Sequence, residues 1–298
     1  MSARSFTAES RDRVPPFAQL RLLYLRRVIG TAIGAAGIER AMRWGRWLAR
    51  RIFELNPPPR ARVVANLTAA CGEALSPEQR ERLARAVFEN VVCFWVEVAY
   101  ARRRLTPGAW RRCVRLVDAP RWAEVVARPG PVLFVSTHFG NPAVAVYAIG
   151  QLCQPVHVVF DAFEMPLLRR WQDELYRHPN VQLVSRTEAA AALPDILAAG
   201  GKIALLGTHL RPRGRGVDVP FLGRTRSFYP TIGLLAARHE APVVVFSNKR
   251  TATPFQFDLR CEKIIEPVGE PDEITAATVA AMERMIHAAP QQFLWTRL

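Results

Sequence analysis

His138 is the residue of this sequence best suited to carry chemistry. It follows the run Val132-Leu133-Phe134-Val135-Ser136-Thr137, which is bounded upstream by Pro129-Gly130-Pro131 and downstream by Gly140-Asn141-Pro142. Four apolar residues between breakers predict a buried strand. Asn141-Pro142 is a helix start signal, and Val144, Tyr147 and Ala148 resume at helical spacing after it. His138 is therefore expected on a strand-to-helix turn at the carboxyl end of a strand, the edge at which open α/β sheets bind ligands. Imidazole exchanges a proton near neutral pH, so the chemistry on offer is general base catalysis. On position alone, a hydrogen-bonded turn residue is an equally good reading.

A base needs a group to orient it. Asp161 ends the β-rich run Val156 to Phe160, the next strand in sequence, and consecutive parallel strands usually neighbour each other with their carboxyl ends together. Asp161 is accordingly the expected partner of His138. Glu164 and His209 are further candidates, and a polar turn before Met165-Pro166 is the bland alternative for Asp161.

The elements around these residues alternate. Val181 to Val184, Lys202 to Leu206 and Val243 to Phe246 read as strands; Met165 to Arg177, Glu188 to Ala199, Ile232 to His239 and Glu273 to Ala288 read as helices. This order predicts an α/β fold, a layered and mostly parallel sheet flanked by helices. Phe255 to Ile265 alternates like an antiparallel or edge strand. Arg211 to Arg226, RPRGRGVDVPFLGRTR, reads as a surface loop after a central strand. Its Arg211, Arg213, Arg215, Arg224 and Arg226, with backbone freedom at the glycines, suit the grip of a phosphate.

Upstream, Ala61 to Ala69 and Pro77 to Tyr100 read as helices, the second opening on Ser76 as cap and Pro77 at the first position. Pro57-Pro58-Pro59 reads as a stiff break, which divides a basic N-terminal region, residues 1–56, from an α/β domain, residues 57–298. From Gln19 to Phe53, arginines alternate with apolar residues that include Trp44 and Trp47, the pattern of helices that lie in the headgroup layer of an anionic membrane. Arg26 and Arg27 interrupt the apolar residues, so neither a signal peptide nor a spanning helix is expected.

The chain has 298 residues and a formal net charge of +15, and its only lysines are Lys202, Lys249 and Lys263. Arginine forms planar two-pronged bonds to phosphate, which favours anionic lipid or nucleic acid as partner. No zinc-finger spacing and no RNA-binding aromatic signature accompanies the charge, so nucleic acid is not expected. Cys71, Cys93, Cys113, Cys153 and Cys261 contain no Cys-x-x-Cys pair. Neither a disulfide framework nor a metal site is expected, and the thiols should be reduced.

The block Phe134-Val135-Ser136-Thr137-His138-Phe139-Gly140-Asn141 resembles the active-site block of the lipid A biosynthesis (lauroyl/myristoyl) acyltransferases. These form part of the lysophospholipid acyltransferase superfamily, whose signature is His, four residues, then Asp or Glu. Asn66-Leu67 with Leu75-Ser76-Pro77-Glu78 resembles the family's entry region, and Val217 to Gly223, Pro230 to Pro242 and Pro290-Gln291-Gln292-Phe293-Leu294-Trp295 resemble its later landmarks, so the likeness covers most of the chain. It implies transfer of a fatty acyl group from acyl-carrier protein or acyl-CoA, as co-substrate and without a further cofactor, to a hydroxyl of a lipid or glycolipid. It also implies His138 as general base, Phe139, Gly140 and Asn141 at the binding site, and a peripheral location on the cytoplasmic face of the inner membrane. The sequence departs from the pattern at Ala143, which stands where the family has its acid, and Thr208 stands where an Asp is expected. The alternative is a catalytically degenerate member that serves as a lipid-binding or partner-binding module.

Overall fold

Residues 34–160 and 178–298 are described by the computed structural model, Arg102 and Arg297 by their backbone alone. Its first elements are helical: α1 (Ile38–Leu55), α2 (Pro57–Cys71) and α3 (Pro77–Arg104). The three prolines expected to form a break instead open α2, because the missing N–H of a proline costs nothing in a first turn. The break falls one residue earlier, at Asn56. Helix α3 begins with a capping box in which Ser76 accepts from the Gln79 amide while the Gln79 side chain accepts from that of Ser76, an arrangement contributing about 1 kcal/mol.

The sheet follows, with β1 (Val114–Val117), α4 (Ala119–Ala127), β2 (Val132–Ser136), α5 (Pro142–Leu152), β3 (Val156–Phe160), β4 (Val181–Ser185), α6 (Arg186–Ala198) and β5 (Lys202–Leu206). After a small hairpin region come α7 (Thr231–Arg238), β9 (Val243–Arg250), β10 (Phe257–Ile265) and α8 (Pro271–Ala288). Seven strands form one sheet in the order β1-β10-β9-β2-β5-β3-β4, and only the β9–β10 pairing is antiparallel. The mixed α/β architecture with a mostly parallel sheet is as the alternation predicts. Strand β10 is indeed antiparallel to its neighbour, but β1, which the sequence reading missed, covers it, so it is not an edge.

Strand order corrects one expectation. β5 lies between β2 and β3, so the strand leading to Asp161 is two places from the strand leading to His138, a lateral step of about 10 Å. Asp161, Glu164 and the helix expected from Met165 to Arg177 lie outside the described residues.

The chain from Arg211 to Arg226 is also not a loop. Apart from its turns it forms β6 (Leu210–Arg211), β7 (Val217–Phe221) and β8 (Arg224–Phe228), a three-stranded antiparallel sheet in the order β6-β8-β7. Val217, Val219 and Phe221 alternate with exposed residues and bury one face against α8.

Two apolar cores sandwich the main sheet. Leu133 and Val135 of β2 point to one, shared with α7 and α8, and Val132 and Phe134 point to the other, shared with α4 and α5. Helix α3 belongs to both: Ala84, Val87 and Phe88 enter the first, and Cys93, Val96, Tyr100 and Ala101 enter the second. It thereby crosses the sheet edge just beyond the carboxyl ends of β2 and β9, which is where His138 sits. Helix α1 packs on α3 through Met42, Gly45, Ala49 and Phe53, and leaves Trp44, Trp47, Leu48 and Leu55 exposed. Among the described residues, no helix is long and apolar enough to cross a membrane.

Candidate active site

Every residue from Val132 to Asn141 is buried except His138, which is half-buried. Burying a strand of this composition on both faces leaves the end of β2 nowhere to expose a side chain but at the turn. Three backbone bonds fix that turn. The His138 carbonyl accepts from the Leu294 amide at 3.0 Å, the Gly140 amide donates to the Gln292 carbonyl at 2.9 Å, and the Phe139 amide donates to the Thr137 carbonyl at 2.8 Å. Phe139 and Phe293 are bridged, so the C-terminal segment runs antiparallel to the turn. Asn66 of α2 secures this segment by donating to the Trp295 carbonyl at 2.9 Å.

The turn approaches β9 more closely than any residue with a side chain would allow. Gly140 has φ +60°, and a Cβ there would lie 1.8 Å from the Asn248 carbonyl oxygen. Asn141 then caps α5, its Oδ1 accepting from the Val144 amide at 3.2 Å. Its Nδ2 donates to Glu97 at 2.9 Å, and its carbonyl accepts from Asn248 at 2.8 Å. Phe139, Gly140 and Asn141, expected at the binding site, thus spend their polar groups on holding the turn.

The His138 ring faces a cavity of about 300 Å³ lined by His138, Thr208, His209, Leu210, Phe293, Leu294 and Leu298. Its Nδ1 lies 3.4 Å from the Thr208 hydroxyl oxygen, at the outer limit of a hydrogen bond. Thr208 follows β5, the neighbour of β2, and so reaches the same edge that an acid was expected to reach from β3. The sequence profile of the bacterial lipid A biosynthesis acyltransferases matches residues 15–297. The chain belongs to that family. No curated protein matches it. Membership makes it an acyltransferase in general terms, one that takes an acyl donor and a lipid acceptor in lipid A-like biosynthesis.

Within this family member, Ala143 lies in the first turn of α5 and is buried, so the position that carries the family acid contributes only packing. The arginines divide between the two faces of the small sheet. Arg226 is opposite Val219 and Arg224 opposite Phe221, whereas Arg211 is opposite Ser227. Side chains alternate along a strand, so Arg224 and Arg226 share the core-facing side and Arg211 takes the other. Arg211 lies over the Tyr229 ring at 4.7 Å, one residue beyond Leu210 of the cavity wall. Arg213 and Arg215 are exposed in the β6–β7 turn. Arg226 is half-buried, and its Nε has no hydrogen-bond partner among the described residues. Burial and, after it, the neighbouring Arg224 charge push its pKa below the ordinary arginine value.

The residues that sequence reasoning missed stand behind the turn. Glu97 of α3 is fully buried and pairs with Arg250 at the end of β9, whose Nε and Nη2 grip both carboxylate oxygens, the second at 2.7 Å. The third nitrogen, Nη1, donates to Asn90. Burial works against the guanidinium charge, but Glu97 outweighs it and holds the Arg250 pKa above its ordinary value. Asn90 and Glu97 are seven residues apart on α3, and a polar pair at that spacing within an apolar helix face was the available signal.

The five cysteines are free thiols. Burial pushes the pKa of Cys153 and of Cys261 up to about 11, which keeps both protonated and unreactive at neutral pH. Among the described residues, no group of His, Cys, Asp and Glu is arranged to hold a metal ion.

Proposed function

We propose that this protein is a peripheral membrane enzyme that moves a fatty acyl group from a thioester of acyl-carrier protein or coenzyme A to a hydroxyl of a lipid or glycolipid, with His138 as general base. The observation that carries the reading is that His138 alone emerges from an otherwise buried strand and turn, into a cavity that also exposes Thr208 and His209 beside Leu210, Phe293 and Leu294. With the ring proton on Nδ1 facing Thr208, Nε2 is the atom that takes the proton of the acceptor hydroxyl as its oxygen attacks the thioester carbon. The C–S bond then breaks, the sulfur takes the proton back from the imidazolium, and an ester and a free thiol leave. A hydroxyl orients the ring but does not neutralise its developing charge. Loss of an acid partner costs on the order of 10⁴ in rate in comparable triads, which is the scale of what alanine at the family's acid position puts at stake. Asp161 keeps its proposed orienting role only if the chain beyond Phe160 turns back across the end of β5.

The remaining support concerns anions and membrane. Arg226, with an unmatched Nε and an adjacent like charge, gains from an anionic group, as does Arg224 beside it; phosphate of a donor or of an acceptor headgroup is the chemistry that fits. On α1, the exposed Trp44, Trp47 and Leu48 recur at helical spacing beside Arg40, Arg43 and Arg51, the composition of an interfacial helix.

The experiment is transfer of a labelled acyl group to extracted lipid acceptors, read by mass spectrometry. His138→Ala should abolish transfer and leave the unfolding midpoint within a few degrees, since the ring is half-exposed and packs little. Undiminished transfer by this variant removes the base assignment. Lipid binding by a wild-type protein that transfers nothing would favour the binding-module reading, which the burial of Ala143 at the acid position also supports.

A further inference from the structure

We infer that Glu97 and Arg250 form a buried charge clamp whose task is to position His138, acting through Asn141 and Gln292; the inference rests on the assignment of His138 as the base. The clamp touches the turn from two sides. On the side-chain side, one oxygen of the Glu97 carboxylate is shared between Arg250 Nη2 at 2.7 Å and Asn141 Nδ2 at 2.9 Å. With a full acceptor facing α3, the Asn141 amide has one orientation, which directs Oδ1 to the Val144 amide and caps α5. On the backbone side, the Arg250 amide donates to Gln292 Oε1 at 2.7 Å, and Gln292 Nε2 donates to the Arg250 carbonyl at 2.8 Å. The Gln292 carbonyl, held by that exchange, accepts from both Gly140 at 2.9 Å and Asn90 Nδ2 at 3.2 Å. The two routes meet on Gly140 and Asn141, two and three residues after His138.

A pair this deep is not needed for stability alone. Well-packed apolar residues of the same volume usually serve as well or better, because taking both charges out of water costs what their attraction returns. What an apolar replacement lacks is direction. The two-pronged Arg–carboxylate bond fixes angles as well as distance, and here its spare acceptor and the Arg250 backbone are both aimed at the turn. Charge is not what reaches His138, since Glu97 and Arg250 neutralise each other and neither contacts the ring. The clamp is therefore a positioning device. In a family member with alanine at the acid position, placement of the base by its backbone helps keep Nε2 within reach of the acceptor hydroxyl.

The test replaces Glu97 with its neutral isostere. Glu97→Gln should lower kcat about 10- to 100-fold, the cost of misplacing a reacting group by about 1 Å, with KM changed less than about 3-fold by the same argument. Because the effect is positional, the acid limb of the pH–rate profile should not move. Amide hydrogen exchange should accelerate about tenfold or more in peptides covering residues 137–144 and 290–295, and stay unchanged in α8, as expected of local loosening. The double variant Glu97→Gln with Arg250→Gln, which removes both charges and permits an amide–amide bond, should recover part of the lost kcat. The proposal is overturned if kcat per folded molecule stays within about twofold or if exchange accelerates equally in α8. If Glu97→Gln does not fold, Asn90→Ala, which frees one arm of Arg250, carries the same readouts. If the wild-type protein transfers no acyl group, the function proposed above fails. The clamp is then judged on exchange alone, where selective loosening of 137–144 sustains it and uniform loosening ends it.

Discussion

A missing Cβ at Gly140 decides how near the His138 turn comes to β9. Two costs fall on any other residue there: a backbone at φ +60°, and overlap with a carbonyl oxygen 1.8 Å from the new atom. The first is about 1–2 kcal/mol and the second about 1–3. Gly140→Ala should therefore lower stability by roughly 2–5 kcal/mol in urea unfolding and displace the turn enough to reduce transfer by more than about tenfold. Gly214→Ala is the control. It also has positive φ, +75°, but nothing lies within 4 Å of its Cβ position, so only the backbone cost applies. Equal losses in the two variants would mean that the close approach to Asn248 is unimportant. At this scale the sequence revealed His138, Gly140 and Asn141, because breakers and a polar cluster at the end of an apolar run are local signals. It hid Glu97 and Arg250, which are 153 positions apart and meet only once α3 is laid across the sheet edge. It also suggested that β3 neighbours β2, but adjacency in sequence is only a tendency in sheets, and β5 took the place beside β2.

Among the elements, those with strong local patterns were legible and those made by pairing were not. α3, α7, α8 and strands β2, β3, β4, β5 and β9 follow from periodicity and breakers. β1 is four residues long and begins after two exposed arginines, and only its bonds to β10 make it a strand. The β7–β8 hairpin was hidden by its glycines and arginines, which read as loop although Val217, Val219 and Phe221 alternate. The outward face of helix α1 carries exposed large apolar side chains that no element packs on among the described residues. Trp44 and Trp47 are 57% and 60% exposed, so their removal should cost little stability. If they dock on a bilayer, each buries on the order of 100 Å² or less, roughly 1–2 kcal/mol, and Trp44→Ala with Trp47→Ala should weaken vesicle binding about tenfold or more by the same area argument. Unchanged unfolding with weakened binding is the expected pair of results. Lost stability with unchanged binding would mean that this face serves the fold instead.

Over the whole molecule, the charge of +15 is not spread evenly in effect, because many arginines are already neutralised. Arg50 pairs with Glu89, Arg51 with Glu54, Arg60 with Glu81, Arg115 with Asp258, Arg128 with Glu124 and Glu266, and Arg250 with Glu97. Among the described residues, the exposed arginines outside these pairs include Arg40 and Arg43 on α1 and Arg213, Arg215 and Arg224 on the small sheet. These are exposed charges, whose reach shortens to about 8 Å at physiological ionic strength. Each adds about 1 kcal/mol near an anionic bilayer surface. Binding to vesicles rich in anionic lipid should accordingly weaken as salt rises from 50 to 500 mM, values chosen to span the ~8 Å screening regime. The fraction resting on Trp44 and Trp47 should survive, since burial of apolar area is not screened. Charge reversal separates the two basic surfaces. Arg40→Glu with Arg43→Glu should remove most of the salt-sensitive binding if α1 is the docking face. Arg213→Glu with Arg215→Glu should leave vesicle binding nearly intact and instead raise KM for the phosphate-bearing substrate. The opposite assignment of effects would place the membrane against the small sheet, next to Leu210 and the mouth of the His138 cavity. Salt-independent binding in every variant would show that the arginine excess has no part in it.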